Sequence, residues 1–246
     1  MPKFFTAREN ISENRIKLES EDAKHIKKVL RLAEGDEIII CDGRGIDYNA
    51  IISGFEDGAV WCDIKDSHKC DAEPHTKVTL YQGLPKAAKM DYIIQKTTEL
   101  GITRIVPVKL ARCVVKIDNA ASEKKKLERW RKIANEAAKQ SGRGIVPEIS
   151  DVMTFDEALE DMKKADICFA PYECEEQTRL CDILNEAGSP ETAAFMIGPE
   201  GGYDIGEYEK LKDAGIRTVT LGRRILRTET AGEAVLAMTM YGLGEI

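Results

Sequence analysis

The first third of the chain is built from short apolar runs separated by turns. EIIIC (37–41) and DYNAII (47–52) flank the turn DGRG, and AVWCDI (59–64) follows FEDG. Runs of that length, bounded by Gly, Asp and Asn, predict antiparallel strands joined as hairpins. One helix interrupts them. Ser20 is placed to cap it, Glu21 and Asp22 suit its positive end, and the pattern runs to Leu30. The polar stretch KCDAEPHT (69–76), with Pro74 inside it, reads as a linker.

Beyond residue 76 the period changes. KVTLYQGL is a strand, MDYIIQKTTELG a helix with one face formed by positions 90, 93, 94, 97 and 100, all apolar but for Thr97, and ITRIVPV a strand again. A long helix, SEKKKLERWRKIANEAAKQ, puts Leu127, Trp130, Ala134 and Ala137 on one face. Thr154 with Glu157, and Asp204 with Glu207, have capping-box spacing, and Gly215 closes the helix that the second pair starts. DICFA and AAFMI are continuous apolar runs, as strands covered on both faces require, and RTVTL and TAGEAVLAMTMY supply the last strand and helix. Alternation of this kind predicts an α/β domain with a mainly parallel sheet over residues 73–246, preceded by a small PUA-like or OB-type β-barrel over residues 1–72.

Charge changes the picture more than composition does. The net −7 over 246 residues divides unevenly: residues 1–75 carry 11 Lys+Arg against 16 Asp+Glu, residues 76–146 carry 16 against 6, and residues 147–246 carry 9 against 21. A basic middle inside an acidic protein points to a phosphate-rich partner, because its cations (Lys86, Lys89, Lys96, Lys109, Arg112, Lys116, Arg143) lie on separate elements. Only the run Lys124, Lys125, Lys126 fits a plain solvated helix face. KHIKKVLR (24–31) holds no acid and suits an RNA-facing helix or a solvated one equally well. No apolar run is long enough to span a membrane, and MPKFFTAREN meets charge too early for a secretory segment, so a cytoplasmic location is expected. The seven scattered cysteines then read as thiols. Cys62, His68, Cys70 and His75 lack the spacing of paired zinc ligands, so that stretch reads as a strand end and linker, and no metal is expected.

Two loops follow strand ends, where open α/β sheets bind ligands. IGPEGG (197–202) has glycines at 198, 201 and 202, which permit close backbone approach or simply a strained turn. LGRRILRTETAG (221–232) sets two apolar residues between arginines, as a segment wrapping an apolar or aromatic group would, with Arg227 and Glu229 at its rim. An Arg–Glu surface pair with a helix cap from Thr228 is the plainer arrangement of the same residues. Neither GxxxxGK[ST] nor GxGxxG is present, which argues against a nucleotide hydrolase or a dinucleotide dehydrogenase.

IGPEGGYDIGEYE followed by LGRRILRTETA resembles the RsmE branch of the SPOUT methyltransferases, which methylate N3 of a uridine in small-subunit ribosomal RNA. The similarity extends through KHIKKVLRLAEGD, KMDYIIQKTTELGITRIVPV and EAAKQSGR, nearly the whole chain. Lys24, where many relatives have His, and Arg223, where many have Pro, depart from the pattern. The resemblance implies S-adenosylmethionine as cofactor, a homodimer that places one subunit's barrel near the other's pocket, and a C-terminal segment threaded into a trefoil knot. It implies a cofactor cradle of APYE (170–173), IGPEGG and LGRRILRTETA, with Pro171, Tyr172, Ile197, Gly198, Gly202, Leu221, Gly222, Ile225, Leu226 and Thr230 as contacts. Glu229 or Glu200 would take the N3 proton and Arg227 would stabilise charge on the uracil. Ribosomal RNA, naked or within the assembled small subunit, would meet His25, Lys28, Arg31, Arg112 and Arg143. Two other readings remain open at this point: a ribose 2′-O-methyltransferase on the same scaffold, and a non-catalytic RNA-binding or ribosome-assembly factor.

Overall fold

The computed structural model describes residues 1–115 and 119–246, apart from the side chain of Ser20. The cap expected of Ser20 and the contribution of Lys116 to the basic surplus therefore lie outside the described residues. The chain forms two compact units, Met1–Glu73 with Ala138–Val146, and Pro74–Ala137 with Pro147–Ile246. Among the described residues no helix is long and apolar enough to cross a membrane.

In the first unit β1 (Lys3–Phe5), β2 (Arg15–Leu18), β3 (Glu37–Cys41), β4 (Ile46–Glu56) and β5 (Ala59–Lys69) form one sheet in the order β1-β3-β4-β5-β2. The three strands expected from the apolar runs pair antiparallel, whereas β1 adds parallel to β3. Asp57 and Gly58, both with positive φ, make the two-residue turn between β4 and β5, the geometry whose twist matches a hairpin. Register shifts at Asn49/Ala50 and Ile52/Gly54 bend these long strands. Alternation buries Ile38, Ile40, Ile52, Val60 and Cys62 together with Ile16, Leu18 and Ile26. Ile26 comes from the helix α1 (Ser20–Lys24), which continues as a wider π turn over His25–Leu30 and stops where Arg31 turns left-handed (φ 55°). Lys24, His25, Lys27, Lys28 and Arg31 remain exposed on it.

Two ionic pairs are sealed inside this unit. Lys3 Nζ lies 2.7 Å from Asp47 Oδ2, with the two side chains 8% and 9% exposed, and also donates to Gly142 O at 2.9 Å. Arg143, 2% exposed, meets Glu73 at 2.7 Å, and Glu73 Oε1 accepts from the N–H groups of Gly144 and Ile145. The segment 138–146 thus belongs to the barrel by its hydrogen bonds, although it is distant in sequence.

The second unit runs β6 (Lys77–Gly83), α2 (Lys89–Glu99), β7 (Arg104–Lys109), α3 (Ala120–Gln140, whose last turn falls in the first unit), β8 (Glu148–Ile149), β9 (Met153–Thr154), α4 (Phe155–Met162), β10 (Ile167–Pro171), α5 (Leu180–Ala187), β11 (Thr192–Ile197), α6 (Ile205–Asp213), β12 (Arg217–Val219) and α7 (Thr228–Gly242). Its strands are all parallel in the order β12-β10-β11-β6-β7-β8, with β9 also on β7. β11 is buried from Ala193 to Ile197, as its unbroken apolar run requires. Leu127, Trp130, Ala134 and Ala137 are the buried face of α3, and both capping boxes form. The sheet core joins Tyr81, Val106, Val108, Ala194 and Met196 to Phe155 and Leu159 of α4 and Leu211 of α6.

Candidate functional site

Strands β12, β10 and β11 are neighbours, so their C-terminal ends place three loops side by side. These loops enclose a cavity of about 1100 Å³. Pro171 and Tyr172 leave β10 on one wall, and Ile197, Gly198, Glu200 and Gly202 leave β11 on the next. Leu221, Gly222, Ile225, Leu226 and Arg227 close the third side. The acidic rim contains Glu173, Glu175 and Glu176, beside Arg179.

The IGPEGG loop is rigid for reasons its sequence only half displays. Gly202 N donates back to Pro199 O at 2.9 Å, with Gly202 at φ 66°, and a Cβ on Gly198 would lie 3.2 Å from Gly202. Beneath it, Tyr203 OH donates to Met196 O at 2.6 Å, while the buried Glu207 accepts from Asp204 N and Ala111 N. Gln82, fully buried at the end of β6, donates to Thr228 Oγ1 at 3.0 Å, and Thr228 Oγ1 donates to Gly198 O at 2.7 Å. Thr228 therefore ties α7 to the loop rather than capping its own helix; Arg227 stands at the cap position without a side-chain cap bond.

Lys89, the first residue of α2, also lines the cavity. Its Nζ lies 3.1 Å from Glu200 Oε1 and 3.1 Å from Glu229 Oε2. Glu200 Oε1 additionally accepts from Lys86 N at 3.0 Å. Burial alone would raise the pKa of Glu200, but hydrogen bonds from its own N–H, from Lys86 N and from Lys89 hold it below the usual carboxylate range. Burial likewise opposes ionisation of Glu229; its own N–H, Lys89 and the charge of Arg227 outweigh it and lower the pKa. Hydrogen bonds to Glu229 and then Glu200 raise the pKa of Lys89. The cluster is an ammonium between two carboxylates, with a guanidinium beside them.

Most of the residues expected in the cradle are thus brought to one cavity. Thr230 is exposed on α7 and is not part of its lining, and Glu229 reaches the site through Lys89. Arg112 is exposed with Nη1 donating to Gly201 O at 2.8 Å, on the back of the IGPEGG loop. In the first unit His25, Lys28 and Arg31 are exposed on the π turn, His25 resting edge-on to Phe4. Arg143, expected to face phosphate, is instead buried against Glu73. Cys62 is sealed in the barrel core and His68 is exposed. Sequence reasoning missed Gln82 and the role of Lys89. Their only signal was position, at the C-terminal end of a strand and the start of the next helix.

The architecture is a parallel sheet with glycine-bearing loops around one cavity, joined in sequence to a small mixed sheet. Residues 72–240 match the family described as RNA methyltransferase domain, and residues 18–65 match RNA methyltransferase PUA domain. The chain belongs to the ribosomal RNA small subunit methyltransferase E family. It is similar to the protein of that description from Bacillus subtilis, 38% identical over 90% of this chain and 88% of the relative. The Synechocystis relative is 30% identical over 96% of this chain and 76% of its own. The crystal structure of the Neisseria gonorrhoeae ribosomal RNA small subunit methyltransferase E bound to S-adenosyl methionine superposes with a TM-score of 0.87, at 33% identity and covering 98% of this chain and 97% of that one.

Proposed function

We propose that this protein transfers a methyl group from S-adenosylmethionine to N3 of a uridine in small-subunit ribosomal RNA. The observation that carries the reading is the cavity at the ends of β10, β11 and β12, whose residues fit such a cofactor. Gly198, Gly202 and Gly222 offer backbone at close approach, and Tyr172, Leu221, Ile225 and Leu226 offer apolar surface. Thr230, exposed on α7 and outside the cavity lining, is the one proposed contact that the cavity does not itself support. The names of the relatives and the cofactor in the Neisseria structure support the same conclusion.

When bound, the cofactor supplies an electrophilic methyl on a sulfonium sulfur. The chain's own task is to hold the uracil in line with it and to manage one proton. N3 becomes a nucleophile as its N–H is lost, and negative charge spreads to O2 and O4. Arg227 is the cation proposed to stabilise that charge. Glu229, or Glu200, is the proposed proton acceptor. Both carboxylates are held below their ordinary range, so each stands in the ionised form that can accept a proton. Lys28, Arg31 and Arg112, all exposed, supply cations for phosphates and exposed His25 a further polar contact, a task that buried Arg143 does not share.

The same reading includes a homodimer, a threaded C-terminal segment and a cytoplasmic location, where ribosomal RNA or the small subunit is available. Nucleoside mass spectrometry of small-subunit RNA from cells lacking the protein tests it. Loss of one 3-methyluridine is expected; loss of a ribose-methylated nucleoside, or no change, would sink it.

A further inference from the structure

Lys89 joins three segments that are far apart in sequence. It begins α2, and its two acceptors stand in the IGPEGG loop and in the first turn of α7. Neither contact is a solvated surface pair: the side chains of Lys89, Glu200 and Glu229 are 27%, 27% and 18% exposed. Glu200 is held a second time, by Lys86 N just before α2, where the positive end of that helix also favours a carboxylate. The opposite side of the same joint is the buried relay Gln82–Thr228–Gly198. The IGPEGG loop and the start of α7 are thus fastened together twice, once by neutral hydrogen bonds inside and once by charge at the cavity.

We propose that Lys89 is a positioning residue for methyl transfer, a latch whose ammonium holds Glu200 and Glu229 together and so sets the separation of the two cavity walls. The consequence for the cofactor rests on the function proposed above, while the latch itself does not. Without Lys89, two carboxylates face each other with no cation between them, and the walls they stand on separate. Glu229 also loses the partner that orients it.

Two measurements keep the latch and the proposed function apart. Hydrogen exchange on the ligand-free protein should show Lys89→Met exchanging about tenfold faster at residues 198–202 and 228–231. The sheet should be unchanged, and Lys89→Arg should stay close to wild type. Calorimetric titration with S-adenosylmethionine should show affinity about tenfold weaker in Lys89→Met, largely restored in Lys89→Arg. It should also be partly restored in Lys89→Met/Glu229→Gln, where the unpaired repulsion is removed. Unaltered exchange in Lys89→Met overturns the latch. Should Lys89→Met not fold, Lys89→Gln carries the same exchange test. Wild-type protein that gives no heat with S-adenosylmethionine overturns the proposed function and leaves the exchange result to decide the latch.

Discussion

Lys3 and Lys89 are both held by carboxylates, in different units and for different ends. Lys3 and Asp47 are 2.7 Å apart at 8% and 9% exposure, and Gly142 O accepts a second hydrogen bond from Lys3. Burial would strip the charge from Lys3, yet Asp47 keeps its pKa raised. Lys89 makes two contacts at 3.1 Å, is about three times as exposed, and faces a cavity. A closed pair of charges cannot change partners without a large desolvation cost, so it serves the fold. One that borders an open cavity can respond to an arriving ligand. Burial, more than the kind of contact, separates the two roles.

The sharpest way to break this comparison is Asp47→Ala. It leaves an ammonium sealed in the barrel, and urea unfolding should register a loss of about 3–5 kcal/mol. A loss below 1 kcal/mol would show that water reaches Lys3 and that burial does not divide the two lysines. At the cavity the expected cost is in rate instead. Arg227→Ala should keep cofactor binding and lose on the order of a hundredfold in turnover, read by transfer of a tritiated methyl group; unchanged activity removes Arg227 from catalysis.

Asp161 is an intermediate case. It is 18% exposed and bonded to Arg104, Lys164 and Tyr81 OH. Burial would raise its pKa, but Lys164, Arg104 and Tyr81 bring it down to about 2. A depressed carboxylate stabilises above its unfolded pKa and loses that contribution as pH falls through the folded one. The advantage of wild type over Asp161→Asn should therefore shrink by about 2 kcal/mol between pH 5 and pH 2; a constant difference across that range would refute it. The smallest effect is the stability of Lys89→Met, expected to fall by about 1 kcal/mol or less in thermal melts. A fall like that of Asp47→Ala would make Lys89 a second structural lysine.

The helices α2, α3, α4, α6 and α7 were legible because each carries its own apolar period or capping pair, with Thr154–Glu157 and Asp204–Glu207 forming as spaced. α5 went unread although Leu180, Ile183 and Leu184 lie on one buried face, because it has only eight residues, set among charges. β1 also escaped, since three residues show no alternation and its partner β3 lies more than thirty positions away. The cradle loops were visible through glycine and arginine at strand ends. What held them was not visible: Gln82 and Lys89 act through partners more than a hundred residues distant, Thr228 bonds Gly198 thirty residues away, and local pattern carries no trace of such pairings. Arg143 misled for the same reason. Its charge reads as surface in the sequence, whereas Glu73, seventy positions earlier, pairs with it in the interior.

The return of residues 138–146 to the barrel fixes an order of events during synthesis. Gly144 O accepts from Cys41 Sγ and from Gly45 N, and Cys70 packs so closely on Gly144 that a Cβ there would lie 2.5 Å from the Cys70 Cβ. Until that glycine leaves the ribosome, Lys3 lacks one acceptor and Glu73 lacks its guanidinium. Although its strands are all made first, the barrel finishes only after β6, α2, β7 and the whole of α3 have been translated. A fragment ending at residue 73 would carry every barrel strand and still be an unfinished domain.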